Sequence, residues 1–263
     1  MNYDWSFPAM SSWHLHHGDA LTWLPTLDAG GVDAVITDPP YNSGGRTTSA
    51  RLSTTPLRKY GSHGDANNSS AVHRYVDFAG DNRDQHGYTA WLALVFSQCL
   101  RATAPGGILV TFTDWRQLPA TSDALQAAGW TWRGIIPWIK PNARPQLGRF
   151  RQTAEFIVWG TNGARPLEGS VHPGDFRVEA PRARSGRIHL TEKPLDLMRA
   201  LVRIAPEAGT VLDPFVGAGT TGHAALMEGR SFLGAEITEH YHRAAVDRLT
   251  AAAASPQGVL EAA

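Results

Sequence analysis

An α/β fold is predicted for this 263-residue chain: a mostly parallel sheet with helices on both faces. Three observations predict it. Short apolar runs alternate with longer segments of helical periodicity. Two of those runs, 32–37 and 211–212, lead directly into carboxylates, Asp38 and Asp213, as buried strands do when they deliver an acid to their carboxyl ends. One of them is followed by a glycine turn and a helix, the usual frame for a ligand-binding crevice.

The elements follow in order. Gly18-Asp19-Ala20-Leu21 opens a short helix, and residues 32–37 form a β-branched strand. Residues 88–104 form a helix whose apolar face carries Trp91, Leu92, Val95, Phe96, Cys99 and Leu100. Pro105-Gly106-Gly107 reads as a turn before a strand at 108–112. A helix at 118–128 is closed by Gly129, and strands follow at 135–139 and 155–159. A helix is expected over 194–204, with Thr191 as its cap and Pro194 near its first turn. The strand ending at Asp213, a helix at 220–228, a strand at 231–236 and a helix at 239–254 complete the chain. Residues 42–86 and 161–189 fit neither period and read as loops or inserted recognition segments within one domain spanning 1–263. The tail from 251 is expected to fray.

Composition narrows the function classes. Apolar residues make up 42% and charged residues 18%, as in soluble globular proteins. No apolar run approaches the ~18 residues needed to span a bilayer. The start, Met1-Asn2-Tyr3-Asp4-Trp5, lacks a basic segment followed by an apolar core, so no secretory leader is expected. The single cysteine, Cys99, rules out an internal disulfide and a cysteine-built zinc site. A cytoplasmic protein without membrane contact is therefore expected. Formal net charge is zero, yet residues 133–193 hold eleven Lys and Arg against five Asp and Glu, about +6 locally. A basic face on a neutral protein suits a polyanion.

The motif at the first strand end is Asp38-Pro39-Pro40-Tyr41. Consecutive prolines fix φ near about −65° and remove two backbone donors, which makes a stiff turn. A carboxylate, rigid carbonyls and an aromatic ring then suit a planar base bearing an exocyclic amine. The second motif is Asp213-Pro214-Phe215-Val216-Gly217-Ala218-Gly219-Thr220-Thr221-Gly222, a strand, a glycine turn and a helix. Gly217 to Gly222 matches G-x-G-x-x-G, and Glu236 stands about 20 residues on, the spacing at which an acid grips ribose hydroxyls. A nicotinamide dinucleotide fits less well, because Asp213 would face the pyrophosphate and repel it. Asp213 suits an ammonium instead. Ribose grip with ammonium grip describes S-adenosylmethionine. Beside these motifs, Asp19 becomes an acceptor for an adenine amino group. His14, His16 and His17 have no matching acid or cysteine cluster and read as surface or packing residues, not metal ligands.

At this point the chain resembles the S-adenosylmethionine-dependent amino-methyltransferases of DNA, over roughly residues 14–250. The resemblance rests on the Gly-Asp segment, Asp38 to Tyr41, and Trp138-Ile139-Lys140-Pro141-Asn142 running on to Glu155-Phe156-Ile157-Val158-Trp159. It continues through Thr191-Glu192-Lys193-Pro194, the Asp213 to Thr220 loop and Phe232-Leu233-Gly234-Ala235-Glu236. The order, with the catalytic motif before the glycine loop, is that of the permuted beta group. The fold this implies is the Rossmann-like class I methyltransferase fold, permuted. The resemblance implies a catalytic turn of Asp38, Pro39, Pro40 and Tyr41, in which Asp38 and the Pro39 carbonyl accept from the target amine and Tyr41 stacks on the base. It implies that Asp213, Phe215, Gly217 and Gly219 hold the methionine part, with Lys193 bordering it. Glu236 would hold the ribose, Ile237 would pack on the adenine edge, and Asp19 with Ala20 would face the amino group. No metal is needed.

Asp at the head of the catalytic motif usually accompanies adenine in this family, whereas Ser or Thr accompanies cytosine. The resemblance therefore implies N6-methylation of an adenine flipped out of double-stranded DNA, with N4-methylcytosine as the alternative. Other readings are a relative acting on RNA or a protein amide, which tends to carry Asn at that position, and a nucleic-acid-binding homologue without catalysis. Lys140, Arg144, Arg149 and Arg151 are the candidate phosphate contacts. A homodimer, a cognate restriction enzyme and a prokaryotic or viral origin are expectations by analogy alone. Only about thirty residues separate the Trp159 and Thr191 regions, which is short for a recognition segment.

Overall fold

The computed structural model describes residues 12–41, 83–145, 147–181 and 192–254. Its strands are β1 (Trp13–His17), β2 (Val32–Thr37), β3 (Thr103–Thr113), β4 (Thr131–Ile139), β5 (Ala154–Thr161), β6 (Phe176–Arg177), β7 (Thr210–Asp213) and β8 (Ser231–Glu236). Its α-helices are α1 (Ala20–Trp23), α2 (Gln85–Ala102), α3 (Leu118–Ala127), α4 (Leu195–Val202), α5 (Thr220–Met227) and α6 (Glu239–Ala254). The strands form one sheet in the order β1-β8-β7-β2-β3-β5-β4-β6. The pairs from β1 through β3 are parallel, β5 runs antiparallel to both β3 and β4, and β6 is parallel to β4. The expected mostly parallel α/β sheet is therefore present.

Two-residue periodicity divides the core. Val35, Leu109, Val158 and Leu212 point to the face covered by α1, α2 and α3. Ala34, Ile36, Val110, Ile157 and Val211 point to the face covered by α4, α5 and α6. From β2 the chain crosses through α2 to β3 on one side. From β7 it crosses through α5 to β8 on the other. The strand order thus reverses between β2 and β7, which pair at Ala34↔Val211 and Val35↔Leu212. Open α/β sheets bind ligands outside the carboxyl ends of such a pair.

Several expectations are corrected. No strand was expected before Gly18, yet β1 lies there, paired in parallel with β8 from Trp13↔Phe232 to His17↔Glu236. It is an edge strand, and its His-rich sequence is half-exposed instead of alternating. Its histidines pack as aromatic plates: His16 stacks on Trp23 at 5.6 Å and 2°, and His17 lies 4.8 Å from His242. The expected turn at Pro105-Gly106-Gly107 lies inside β3. There the register with β2 jumps from Val32↔Thr103 to Ala34↔Ile108, and Gly106 takes φ 78°. The turn residues bulge out of a strand that continues past them. Helix α4 is shorter than expected at both ends, with Pro194 at its cap position. Thr191 lies outside the described residues, as do 42–82 of one irregular segment and 182–189 of the other. The described part of the second segment supplies β6, which pairs with Trp138 and Ile139. Among the described residues no helix is long and apolar enough to cross a membrane.

Candidate active site

One cavity of about 240 Å³ opens at the strand reversal, and its walls include Asp38 to Tyr41, Asp213 to Ala218, Glu236 to Thr238, Gly18 to Ala20 and Lys193. The sheet makes this convergence. Parallel pairing of β2 with β7, and of β7 with β8, brings the ends of three strands side by side. Thr37 and Asp213 close the seam between two of them, with Thr37 Oγ1 donating to Asp213 Oδ1 at 2.7 Å.

The glycine loop is prebuilt by uncharged donors. Asp213 is only 1% exposed. Besides Thr37, it accepts from Phe215 N at 3.0 Å and from Thr221 Oγ1 at 2.7 Å. Burial pushes its carboxyl up to about 6, although these three donors pull the other way. Asp213 was expected to grip an ammonium. It organises the loop first, with most of its acceptor capacity already engaged. Glu236 behaves alike, accepting from Gly217 N and Thr238 N, each at 2.8 Å. Burial raises its carboxyl above the ordinary range as well. Gly217 and Gly219 both take positive φ, 54° and 84°. At Gly219, the cap residue of α5, a Cβ would come within 3.1 Å of the Ala245 backbone.

The remaining wall residues stand where the sequence suggested. Asp19 caps α1, accepting from Leu21 N at 2.9 Å, and its side chain is exposed. Gly18 N donates to the Glu236 carbonyl at 3.0 Å, which joins the Gly-Asp segment to the end of β8. Ile237 is 52% exposed, an apolar side chain held at the cavity wall. Phe215 packs against Trp91 with ring centroids 5.3 Å apart, and Arg83 lies over Trp91 at 4.3 Å. Trp91 was expected only as part of a buried helix face. Nothing in its helical spacing distinguishes a cavity wall from a core.

The turn at Asp38 to Tyr41 differs, because charged groups hold it. Asp38 accepts from the Tyr41 hydroxyl on Oδ1 at 2.5 Å and pairs with Lys193 Nζ on Oδ2 at 2.6 Å. Lys193 also donates to the Tyr41 hydroxyl at 2.9 Å and lies 3.5 Å from Glu155 Oε2. Glu155 Oε1 pairs in turn with Lys140 at 2.7 Å. Two carboxylates and two ammoniums therefore form one ladder, Asp38–Lys193–Glu155–Lys140. Burial raises Asp38 above the ordinary carboxylate range, with Lys193 and Tyr41 pulling back. Burial alone would lower Lys193, but Asp38 and Glu155 outweigh it and raise its ammonium. Burial likewise acts upward on Glu155, and the two lysines overcome it and lower the carboxyl. Burial beside Asp38 raises the Tyr41 phenol well above its ordinary value, so it stays protonated.

Two lysines have partners that the sequence reading did not give them. Lys193, expected to border the methionine part of a cofactor, lines the cavity with its ammonium on Asp38. Lys140 was expected to meet phosphate, and it is spent on Glu155, because β4 and β5 pair Trp138 with Glu155 just inside the hairpin. Arg144, Arg149 and Arg151 are exposed on the connection between those strands. The sequence reading gave Glu155 no role, although antiparallel pairing of the two runs that flank residues 140–154 sets it opposite Trp138 and diagonal to Lys140 on the same face.

Comparison with known proteins extends this geometry. A family model for DNA methylases of the N6/N4 type matches residues 32–247. The type II methyltransferase M.XycI of Xanthomonas campestris pv. cyanopsidis is 27% identical over 277 residues, covering 89% of this chain and 87% of its own. Among solved structures, the M1.HpyAVI–SAM complex superposes with a TM-score of 0.60 at 23% identity, over 90% of this chain and 98% of that one. The cytosine-N4-specific PvuII DNA methyltransferase gives 0.67 at 16% identity, over 91% and 87%. At such identities the two structures speak to the fold.

Proposed function

The chain belongs to the N6/N4 DNA methylase family, and from that premise we propose that it moves a methyl group from S-adenosylmethionine to the N6 amine of an adenine flipped out of double-stranded DNA. One observation carries the reading. Three motifs far apart in sequence wall a single cavity, with an amine-accepting turn and a glycine loop sharing it.

The residues suit the cofactor. Gly217 lines the cavity, and the positive φ at Gly217 and Gly219 gives the loop a turn that side chains rarely adopt. Phe215, Gly217 and Gly219 would lie along the methionine part, and Glu236 by the ribose. Ile237 would pack on the adenine edge, with Asp19 and Ala20 by its amino group. When bound, S-adenosylmethionine supplies a methyl already activated on a sulfonium. M1.HpyAVI, whose fold this chain shares, was solved with that molecule.

The protein's own share is to orient the amine and, as the N–C bond forms and the S–C bond breaks, to take the proton the amine loses on the Asp38 carboxylate. An aryl amine is a poor nucleophile because its lone pair is delocalised into the ring. Asp38 and the Pro39 carbonyl, as acceptors for its two N–H groups, favour a pyramidal nitrogen with its lone pair free. Tyr41 stacks on the extruded base and recovers roughly 1–3 kcal/mol of the lost stacking. Both oxygens of Asp38 hold a partner already. An incoming amine must therefore displace Lys193 or the Tyr41 hydroxyl, or share an oxygen with one of them. Lys193 keeps Asp38 ionised, and hence an acceptor, until that exchange.

Asp at the head of the motif supports adenine over cytosine. Incubation with labelled S-adenosylmethionine and unmethylated DNA, followed by nucleoside mass spectrometry, tests it. N6-methyladenine is expected. N4-methylcytosine would overturn the choice of base, and product on RNA alone would overturn the substrate.

A further inference from the structure

We propose that the loop between β4 and β5 is a wedge that enters the DNA duplex, with Phe150 and Leu147 filling the space that the extruded base leaves. This rests on the methyltransferase reading above.

The loop spans 141–153, and its root is fixed. Lys140 N donates to the Thr153 carbonyl at 2.7 Å. Asn142 exchanges two hydrogen bonds with the Ala180 backbone, at 2.8 and 3.1 Å. The root adjoins the charged ladder, since Lys140 and Glu155 flank the loop and Glu155 leads through Lys193 to Asp38. The root of the loop is therefore tied to the turn where a flipped base would sit.

The tip is unlike the root. Leu147 is 102% exposed and Phe150 97% exposed. Between them Gly148 takes φ 67°, with nothing within 4 Å of where a Cβ would stand, so the glycine serves the turn and not a packing contact. Two large apolar side chains are thus presented to water by a left-handed turn. Around them stand Arg144, Arg149 and Arg151, and no residue from 141 to 153 is acidic. The three guanidinium groups are exposed and have no hydrogen-bond or ion-pair partner among the described residues.

A second loop sharpens the choice of partner. Leu167 and Val171 are as exposed as Phe150, at 106% and 98%. There, however, Glu168 and Asp175 are close in sequence, and the Arg165 guanidinium is bound to the Gly106 and Ile204 carbonyls. Exposure alone does not separate the two loops, but charge does. An apolar tip in a purely cationic surround matches a duplex, whose phosphates meet arginine while an apolar wedge enters between unstacked bases.

The test uses binding, which is independent of turnover. Fluorescence anisotropy compares a short intact duplex with the same duplex carrying one abasic site, with S-adenosylhomocysteine present. A wedge gains from a ready-made vacancy, so the wild type should bind the abasic duplex about tenfold more tightly. Phe150→Ala combined with Leu147→Ala should erase that preference and leave affinity for the intact duplex within about threefold. Phe150→Trp should restore it. A wild type without preference, or a double variant that keeps it, overturns the wedge while the methyltransferase reading stands on its own product assay. A wild type that binds neither duplex and labels no DNA removes both.

Discussion

The two sides of the cavity hold their carboxylates by opposite means. On the glycine-loop side, Asp213 and Glu236 are satisfied by neutral donors alone: the backbone N–H groups of Phe215, Gly217 and Thr238, the Thr221 hydroxyl and, from β2, the Thr37 hydroxyl. On the catalytic-turn side, Asp38 is satisfied by Tyr41 and by the ammonium of Lys193, carried on a long side chain 155 residues away in sequence. Neutral donors on backbone and short side chains build a cradle that exists before any ligand arrives. A flexible ammonium and a phenol form contacts that an incoming amine can replace. The cradle is suited to binding, the turn to exchange.

The largest effect that tests this contrast is Asp38→Ala. Transfer should fall by at least about a thousandfold, roughly 4 kcal/mol in the barrier, while cofactor affinity stays within a few-fold. Labelled transfer and calorimetric titration measure the two halves. Equal loss of both would mean that the two sides of the cavity act as one unit and that the contrast is false.

Lys193→Met comes next. It leaves Asp38 and Glu155 facing one another without the cation between them, and a buried pair broken in this way costs about 3–5 kcal/mol. A lower melting temperature is expected. So is a shift in the acid limb of kcat/KM. Lys193 opposes the upward push of burial on Asp38, so without it the carboxyl rises further and the limb moves to higher pH. Lys193→Arg keeps the charge and should keep the limb near its wild-type position. Weaker cofactor binding with the limb unmoved would instead make Lys193 a cofactor contact first, as the sequence reading expects.

The partners of Lys193 show where sequence reading stops. Asp38-Pro39-Pro40-Tyr41 and the Asp213 to Gly222 loop were legible because each is continuous and sits at a strand end, where the fold converts position into function. The place of Glu236 on the cavity wall was legible from its spacing. The ladder was not, since Asp38, Lys193 and Glu155 belong to three separate segments and meet only through the sheet order β2-β3-β5-β4. Local pattern carries no information on that order. β1 escaped for a different reason: an edge strand of Trp and His has neither the alternation nor the β-branched run of a buried one. Pro105-Gly106-Gly107 was read correctly as a backbone irregularity, but pairing with β2 on both sides of the bulge carried the strand through it.

The smallest expected effect comes from the cradle, and its sign separates the two sides. Asp213 ionises at about 6 in the folded protein and at about 3.8 when free of it. Between those values the native state binds more protons than the unfolded chain, so stability falls as pH rises through this window. The group's contribution is fully present below about pH 4 and lost above about pH 6, a change of about 3 kcal/mol. Asp213→Asn removes the titration. Its amide oxygen can still accept from Phe215 N and Thr37, and the Thr221 hydroxyl can turn to accept from the amide. The variant should therefore unfold with a flatter pH dependence between about 4 and 6, and at pH 7 it should lose little stability or gain some. Denaturant titration across that range measures it. Transfer by this variant should follow cofactor affinity alone, with its acid limb still set by Asp38. If Asp213→Asn moved that limb as Lys193→Met is expected to, Asp213 would belong with the exchangeable charges and not with the cradle.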